Sequence, residues 1–465
     1  WLEVTLPSLR DFRFGDPMPA TTDTPGIRYA RWTSSSTAEI SVDLPTVSMA
    51  AISGKFVRYR ATVTPAGGSP QYAMSAEDSG IIAVTGLVKG TVYTVTVRRE
   101  QVTTSTGIVY GSPGPESASM NIESLRWCNS IGHAIFNSIE LNIGGARIDR
   151  HVGEYMDILA ELTMPEEKLT GFNNMIGKYA SYDLYDNSFD TARVLYIPIQ
   201  FTFCKSPGMS LPLISLQFHD VKLNFDFRDY TENIKSTTTV TSLTHLDTGR
   251  TPSMTPIAYA DYIYLETEER RRFASTPSEY LIDVCQFLGD APIIFDASNP
   301  NATRKISVNF SHPVKEVIWV YNSAATYNSS IPASQYATHG NDYTNCDLPG
   351  VLASEDPIVN ARIQLNGHDR YSSRSGAYHR LVQPYQCHTR VPTKKIYLYS
   401  FALHPEDHQP SGTCNFSRVD TAHLVVDLNP AMITDSPRGR IRVFANSFQV
   451  LRVASGMAGL AFASG

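Results

Sequence analysis

The strongest constraint on this chain is a period of two. Apolar and polar residues alternate in short runs at Ser138 to Ile143, Tyr196 to Phe203, Val221 to Phe227, Ile306 to Phe310, Val317 to Tyr321, Ile396 to Leu403 and Arg440 to Phe444. Alternation sends successive side chains to opposite faces of a strand, so these runs predict sheets with one face buried. Helical period is scarce, and the candidates are short: Gly153 to Leu162, ended near Pro165, and Pro277 to Leu281. With 465 residues, 18% charged, and 29 Gly and 28 Pro to make turns, the chain reads as all-β and too long for one core.

One stretch has a composition of its own. From Asp16 to about Met120, Thr, Ser, Val, Gly and Pro dominate and helix signals vanish, which predicts a separate small β-sandwich over residues 14 to 120. Its run Val84 to Val97, followed by Gly-Ser-Pro-Gly-Pro at Gly111 to Pro115, resembles a fibronectin type III module. Tyr93 would be the corner tyrosine, with its ring in the core and its hydroxyl on nearby backbone. The strand Ala38 to Asp43 lacks the Trp of that family, so an immunoglobulin-like sandwich of another type stays open.

The remainder carries a weak internal repeat. Ile139-Glu-Leu-Asn-Ile-Gly-Gly-Ala-Arg147 is echoed by Ile363-Gln-Leu-Asn-Gly-His-Asp-Arg370, and Tyr196 to Phe201 by Tyr397 to Phe401. After a Pro/Gly loop, Asp220-Val-Lys-Leu is answered by Asp420-Thr-Ala-His-Leu. Two tandem copies of one β-fold with unequal loops explain the spacing. The superposition expected is Ile139 to Leu141 over Ile363 to Leu365, with Tyr196 to Phe201 near Tyr397 to Phe401.

Longer strings carry a second resemblance. Leu2-Glu-Val-Thr-Leu-Pro-Ser-Leu9, Arg126 to Ala134, Ile148 to Glu154 and Phe203 to Ile214 resemble the first jelly-roll of the major capsid proteins of nucleocytoplasmic large DNA viruses. Tyr264 to Phe273, His312 to Trp319, Pro410 to Arg418 and Leu451-Arg-Val-Ala-Ser-Gly-Met-Ala-Gly-Leu460 resemble the second. The resemblance implies a tandem double jelly-roll: residues 1–13 and 121–232, an inserted immunoglobulin/fibronectin-like β-sandwich at 14–120, a linker at 233–256, and a second jelly-roll at 257–465. Strands that precede Leu2 to Leu6 in such proteins are missing here, and the chain opens at Trp1 without an initiator Met. Processing or a missing upstream part is expected.

The resemblance further implies a homotrimer with a pseudo-hexagonal outline that tiles an icosahedral virion shell beside neighbouring capsomers, minor capsid proteins and penton proteins. An internal membrane would be met only indirectly, and synthesis would take place in the host cytoplasm. As an insertion between two strands, the sandwich is expected on the outer face, where it would bind host surface or glycans, fibres or neighbouring capsomers alike. The alternative weighed is a cell-surface carbohydrate-binding or adhesive β-sandwich protein, which would normally carry a secretion signal and paired cysteines. A third, a glycosidase with an accessory module, needs two carboxylates across a cleft.

Chemistry-bearing motifs are sparse. The formal charge is −6 with no continuous basic track, which argues against direct nucleic-acid binding. Arg270, Arg271 and Arg272 follow Glu266, Glu268 and Glu269 and read as an ion-paired segment, with Glu266 and Glu268 at a strand end. Six separated cysteines read as free thiols. Pro405 within His404-Pro-Glu-Asp-His408 prevents a helix that would align the two imidazoles, so this is expected to be a loop and not a metal site. His368, Asp369, His379 and His388 lack a nucleophile elbow; no catalytic residue, metal or cofactor is expected. Sequons stand at Asn301, Asn309, Asn328 and Asn415. Asn328, Asn301 and Asn415 are the candidates for glycosylation, and Asn309 is set aside because it is expected within a strand.

Overall fold

The structure is a computed structural model, which describes residues 1–6, 12–14, 26–34, 37–43, 56–75, 81–88, 93–102, 120–121, 125–178, 193–229, 233–236, 243–245, 254–294, 303–323, 356–429 and 438–462. Strands dominate, and burial along them follows the sequence period. In Leu2–Leu6, Leu2, Val4 and Leu6 are buried while Thr5 is exposed. Val221–Phe227 likewise turns Val221, Leu223, Phe225 and Phe227 onto the first core.

The first jelly-roll is built from small antiparallel sheets. Leu2–Leu6 lies between Arg193–Ile197 and Thr255–Ala258, and Phe136–Ile143 lies between Ala146–His151 and Val221–Phe227. Residues 233–256, expected as a linker, correct that expectation in part. Ile234–Ser236 pairs with Leu125–Trp127, and Leu243–His245 pairs with Phe12–Phe14. The second jelly-roll stacks a six-stranded sheet, with main order Ser278–Ile294, Arg438–Ala454, Pro313–Ser323, Ile396–Ser400, on a five-stranded sheet centred on Ala422–Leu428 and Ile358–Leu365. Pro277 to Leu281, expected as helix, instead opens the long strand Ser278–Ile294.

The repeat is visible in the pairing, with one adjustment. Ile143 and Ala146 flank a two-residue turn at Gly144-Gly145, and Leu365 and His368 flank one at Asn366-Gly367. All four turn residues have positive φ, the requirement of the tight turn whose twist suits a hairpin. Ile143 pairs with Val221, and Leu365 with Ala422. The strands are therefore equivalent, but Leu141 to Ile143 correspond to Ile363 to Leu365, two residues from the expected match. Arg193–Ile197 and Ile396–Ser400 are both edge strands, yet Tyr196 is exposed and Tyr397 buried. That match is out of phase by one face.

The described residues between 26 and 121 form two further sheets, Gly26–Ser34, Thr37–Asp43, Ile81–Thr85 and Gln71–Met74, Phe56–Pro65, Tyr93–Val102, Met120–Asn121. Among the described residues, their core draws on residues between Ile27 and Val97. Tyr93 is buried there, and its hydroxyl accepts the Val88 N–H at 2.8 Å.

Four helices matter below: α1 (Ile131–Ala134), α2 (Gly153–Thr163), α3 (Glu166–Ile176) and α4 (Thr267–Ser275). α2 stops where Met164 turns extended before Pro165, because a residue before proline avoids the helical region. Gly177, at φ 70°, closes α3.

Candidate functional site

The most densely partnered groups among the described residues are contacts that join the two β-domains. The main set lies between the two jelly-rolls, on α2. Nine of its eleven residues are buried, because each face meets a different body. Met156 belongs to the first core, and Ala160 packs with Phe172 and Ile176 of α3. Tyr155, Ile158 and Leu162 lie on Ile318, Val320, Ile396, Leu398 and Phe444 of the second jelly-roll's large sheet. That sheet is thus covered on both faces, which explains why Val314 to Asn322 are buried without alternation.

The same helix carries buried carboxylates at Glu154, Asp157 and Glu161, each met by a cation from the second jelly-roll. Glu154 receives Arg442, and Arg440 at 3.4 Å. Asp157 receives Lys394 at 2.9 Å and His133 of α1 at 3.2 Å. Glu161 receives Arg390 at 2.7 Å, and Lys178 from its own side. Burial alone would raise the Asp157 carboxyl, but Lys394 and the His133 hydrogen bond outweigh it and hold the group well below the usual range. Asp290 ties the arginines further, at 2.6 Å from both Arg440 and Arg442.

A second cluster pins the loop at residues 401–410. His388 lies 2.8 Å from Glu316 and 2.8 Å from Glu406. Burial disfavours its charge, but the two carboxylates prevail and hold the imidazolium up to about 9. Lys315, 2.8 Å from Asp283, also donates to the Pro405 carbonyl at 2.8 Å. Asp283 is reached from the first jelly-roll by Lys205 at 2.6 Å.

The two cores are also joined by backbone. Ser278–Ile294 and Arg438–Ala454 pair along nearly their whole length, seventeen residues each, broken by a bulge between Phe287 and Asp290 where Gly289 has φ 86°. One end supplies Ile282, Leu451 and Val453 to the first core, and the other supplies Ile293, Ile441 and Val443 to the second.

The motifs singled out in the sequence fall into this framework. His404 to His408 is an irregular loop whose Glu406 turns to His388, and His379 is buried between the carbonyls of Leu398 at 3.1 Å and Ala361 at 3.4 Å. Asp369 is exposed beside Arg362 at 3.5 Å, so these groups have separate partners. Glu266 and Glu268 sit at the start of α4 and not at a strand end, and Arg271 pairs with Glu268 at 3.0 Å. Asn415 is exposed, with its side chain accepting the Ser417 N–H at 3.1 Å. Asn309 corrects its reading: the strand Thr303–Ser307 ends before it, and it is exposed. Asn301 and Asn328 lie outside the described residues, as does Cys346; the other five cysteines form no disulfide among the described residues. Sequence reasoning missed the α2 carboxylates; their spacing of three and four on one helix face was the available signal.

Comparison with known proteins settles the family. A model of the large eukaryotic DNA virus major capsid protein matches residues 269–459, and a model of the major capsid protein N-terminus matches 79–266. The major capsid protein of Phaeocystis pouchetii virus is 34% identical over 75% of this chain and 85% of its own. The chain belongs to the major capsid proteins of large eukaryotic DNA viruses. The major capsid protein of Pyramimonas orientalis virus is 38% identical over 72% of this chain and 78% of its own. The fold is shared with the subunit of the PBCV-1 virus capsid, with a TM-score of 0.58 at 23% identity, covering 97% of both chains. As a major capsid protein, the chain is a structural component of the virion shell and not an enzyme. The adhesive alternative is not supported by these relatives. The N-terminal family match begins inside the segment read as an insertion.

Proposed function

We propose that this capsid protein builds a pseudo-hexagonal homotrimer, and that trimers tile an icosahedral shell. The observation that carries this reading is the seam: α2 and the shared ladder fix two equivalent jelly-rolls as one body, so three chains present six wedges. Minor capsid and penton proteins complete the shell, the internal membrane is met only indirectly, and nucleic acid is not contacted. Synthesis takes place in the host cytoplasm. Residues 14–120 stand outward as an autonomous module, because an insertion between two strands emerges where their loop does, and long loops cost little closure entropy. That module faces glycans or host surface, and Asn328, Asn301 and Asn415 are its subunit's candidate glycan carriers. The test is mass measurement of the purified protein in solution with imaging of single particles. Trimers with hexagonal outline are expected, and a protein that stays monomeric at all concentrations would overturn the reading.

A further inference from the structure

The segment from Thr255 to Pro277 departs from everything around it. All its residues are exposed except Leu265, which is half-buried. It is nevertheless regular: the edge strand Thr255–Ala258, an extended run, and α4. Its composition suits burial. Tyr264 is 93% exposed, Tyr262 66% and Ile263 55%, with Ile257, Tyr259 and Phe273 also exposed. α4 has no buried residue, whereas a nine-residue helix gains most of its stability from a packed face. The segment is tied to its own chain at its ends, by the Tyr259 N–H on the Trp1 carbonyl at 2.9 Å and the Ser215 hydroxyl on the Phe273 carbonyl at 2.6 Å. Between those ties it presents a row of tyrosines outward.

We infer that residues 255–276 are an arm that packs against a second copy of this chain and holds the capsomer together. This rests on the trimer reading above and names the surface that makes it. Copies of itself are the neighbours that a major capsid protein meets most often, and large aromatic residues are enriched where protein surfaces stay together. The charges fit the same occupant. Glu268 and Glu269 lead α4 and Arg270 to Arg272 follow, so the helix offers both signs within two turns. A copy carrying the same bipolar stretch and a net charge of only −6 is not repelled, whereas a polyanion would face the glutamates. Pro256 lies in the edge strand and has no N–H to offer a new strand. The contact is therefore made by side chains and not by sheet extension.

The test uses the full chain with Ile263→Ser and Tyr264→Ser together, followed by sedimentation over a concentration series. The midpoint for assembly should rise at least tenfold, with thermal unfolding of the dilute protein unchanged because both side chains are exposed. Arg270→Glu with Arg272→Glu should shift it in the same direction. Val88→Ser, at an exposed site on the inserted sandwich, should leave it unchanged. Wild-type assembly with an unaltered midpoint in the serine pair would overturn the arm alone, as would an equal shift for Val88→Ser. A wild type that never assembles would overturn the trimer reading and the arm with it.

Discussion

Arg390 and Glu161, 229 residues apart in the chain, meet at 2.7 Å across the boundary between the two jelly-rolls. Arg390 also gives its Nε–H to the Glu161 carbonyl at 3.0 Å and its backbone N–H to the Leu162 carbonyl at 3.1 Å, so it grips the end of α2 at three points. Glu161→Gln would take from Arg390 and Lys178 their buried counter-charge, where Glu161 is 1% exposed, and leave Arg390 only the exposed Glu166 at 3.9 Å. Breaking one side of such a buried pair costs about 3–5 kcal/mol. Denaturant unfolding should register a loss of that order, and a loss under about 1 kcal/mol would show that water screens the contact.

The His388 cluster sets a pH dependence. The imidazole goes from 6.5 when free to about 9 in the fold. A group raised on folding stabilises fully below its unfolded value, and that stability fades as pH climbs through the folded value. The contribution should be intact near pH 6 and lost between about pH 6.5 and 9, a decline on the order of 3 kcal/mol. Its partners Glu316 and Glu406 are both lowered, so their share is lost on the acid side as pH falls through their folded values. His388→Gln should flatten the alkaline slope, and an equal slope in wild type and variant would refute this assignment.

Two glycines make an opposed pair. A Cβ on Gly153 would come 2.2 Å from the His133 carbonyl oxygen, whereas one on Gly171 meets nothing within 4 Å. Gly153→Ala must lift α2 from the first jelly-roll and should cost about 1–3 kcal/mol. Gly171→Ala, on the open side of α3, should stabilise by about 0.5–1 kcal/mol. Melting temperatures moving in the same direction would contradict the seating of α2.

Deleting residues 17–117 behind a short linker tests the inserted module. Among the described residues its core cluster runs from Ile27 to Val97, so the remaining chain should fold and assemble to the same oligomer, measured by mass. Failure to fold would make the segment part of the first jelly-roll.

Much of this architecture was legible because one buried face imposes a period of two. Val221 to Phe227 and the start of α2 were read to the residue. Misreadings came where that premise fails. Val317 to Tyr321 was seen as a short strand, but residues 314 to 322 of Pro313–Ser323 are buried on both faces, so alternation cannot mark its ends. The long strands change core midway and bulge at Gly289, so no single window carries their phase. α4 was missed because a helix with charges on every side and no buried face has no apolar stripe to count. The α2 ion pairs join residues up to 288 apart, and pairing at that distance leaves no local trace.

The ladder of Ser278–Ile294 on Arg438–Ala454 has a mechanical meaning. Since its pairing continues on both sides of the bulge at Gly289 and enters both cores, tilting one jelly-roll against the other would shear backbone hydrogen bonds instead of sliding side chains. The subunit then bears load as a plank, and curvature of a surface paved with it is taken up mainly in the joints between planks.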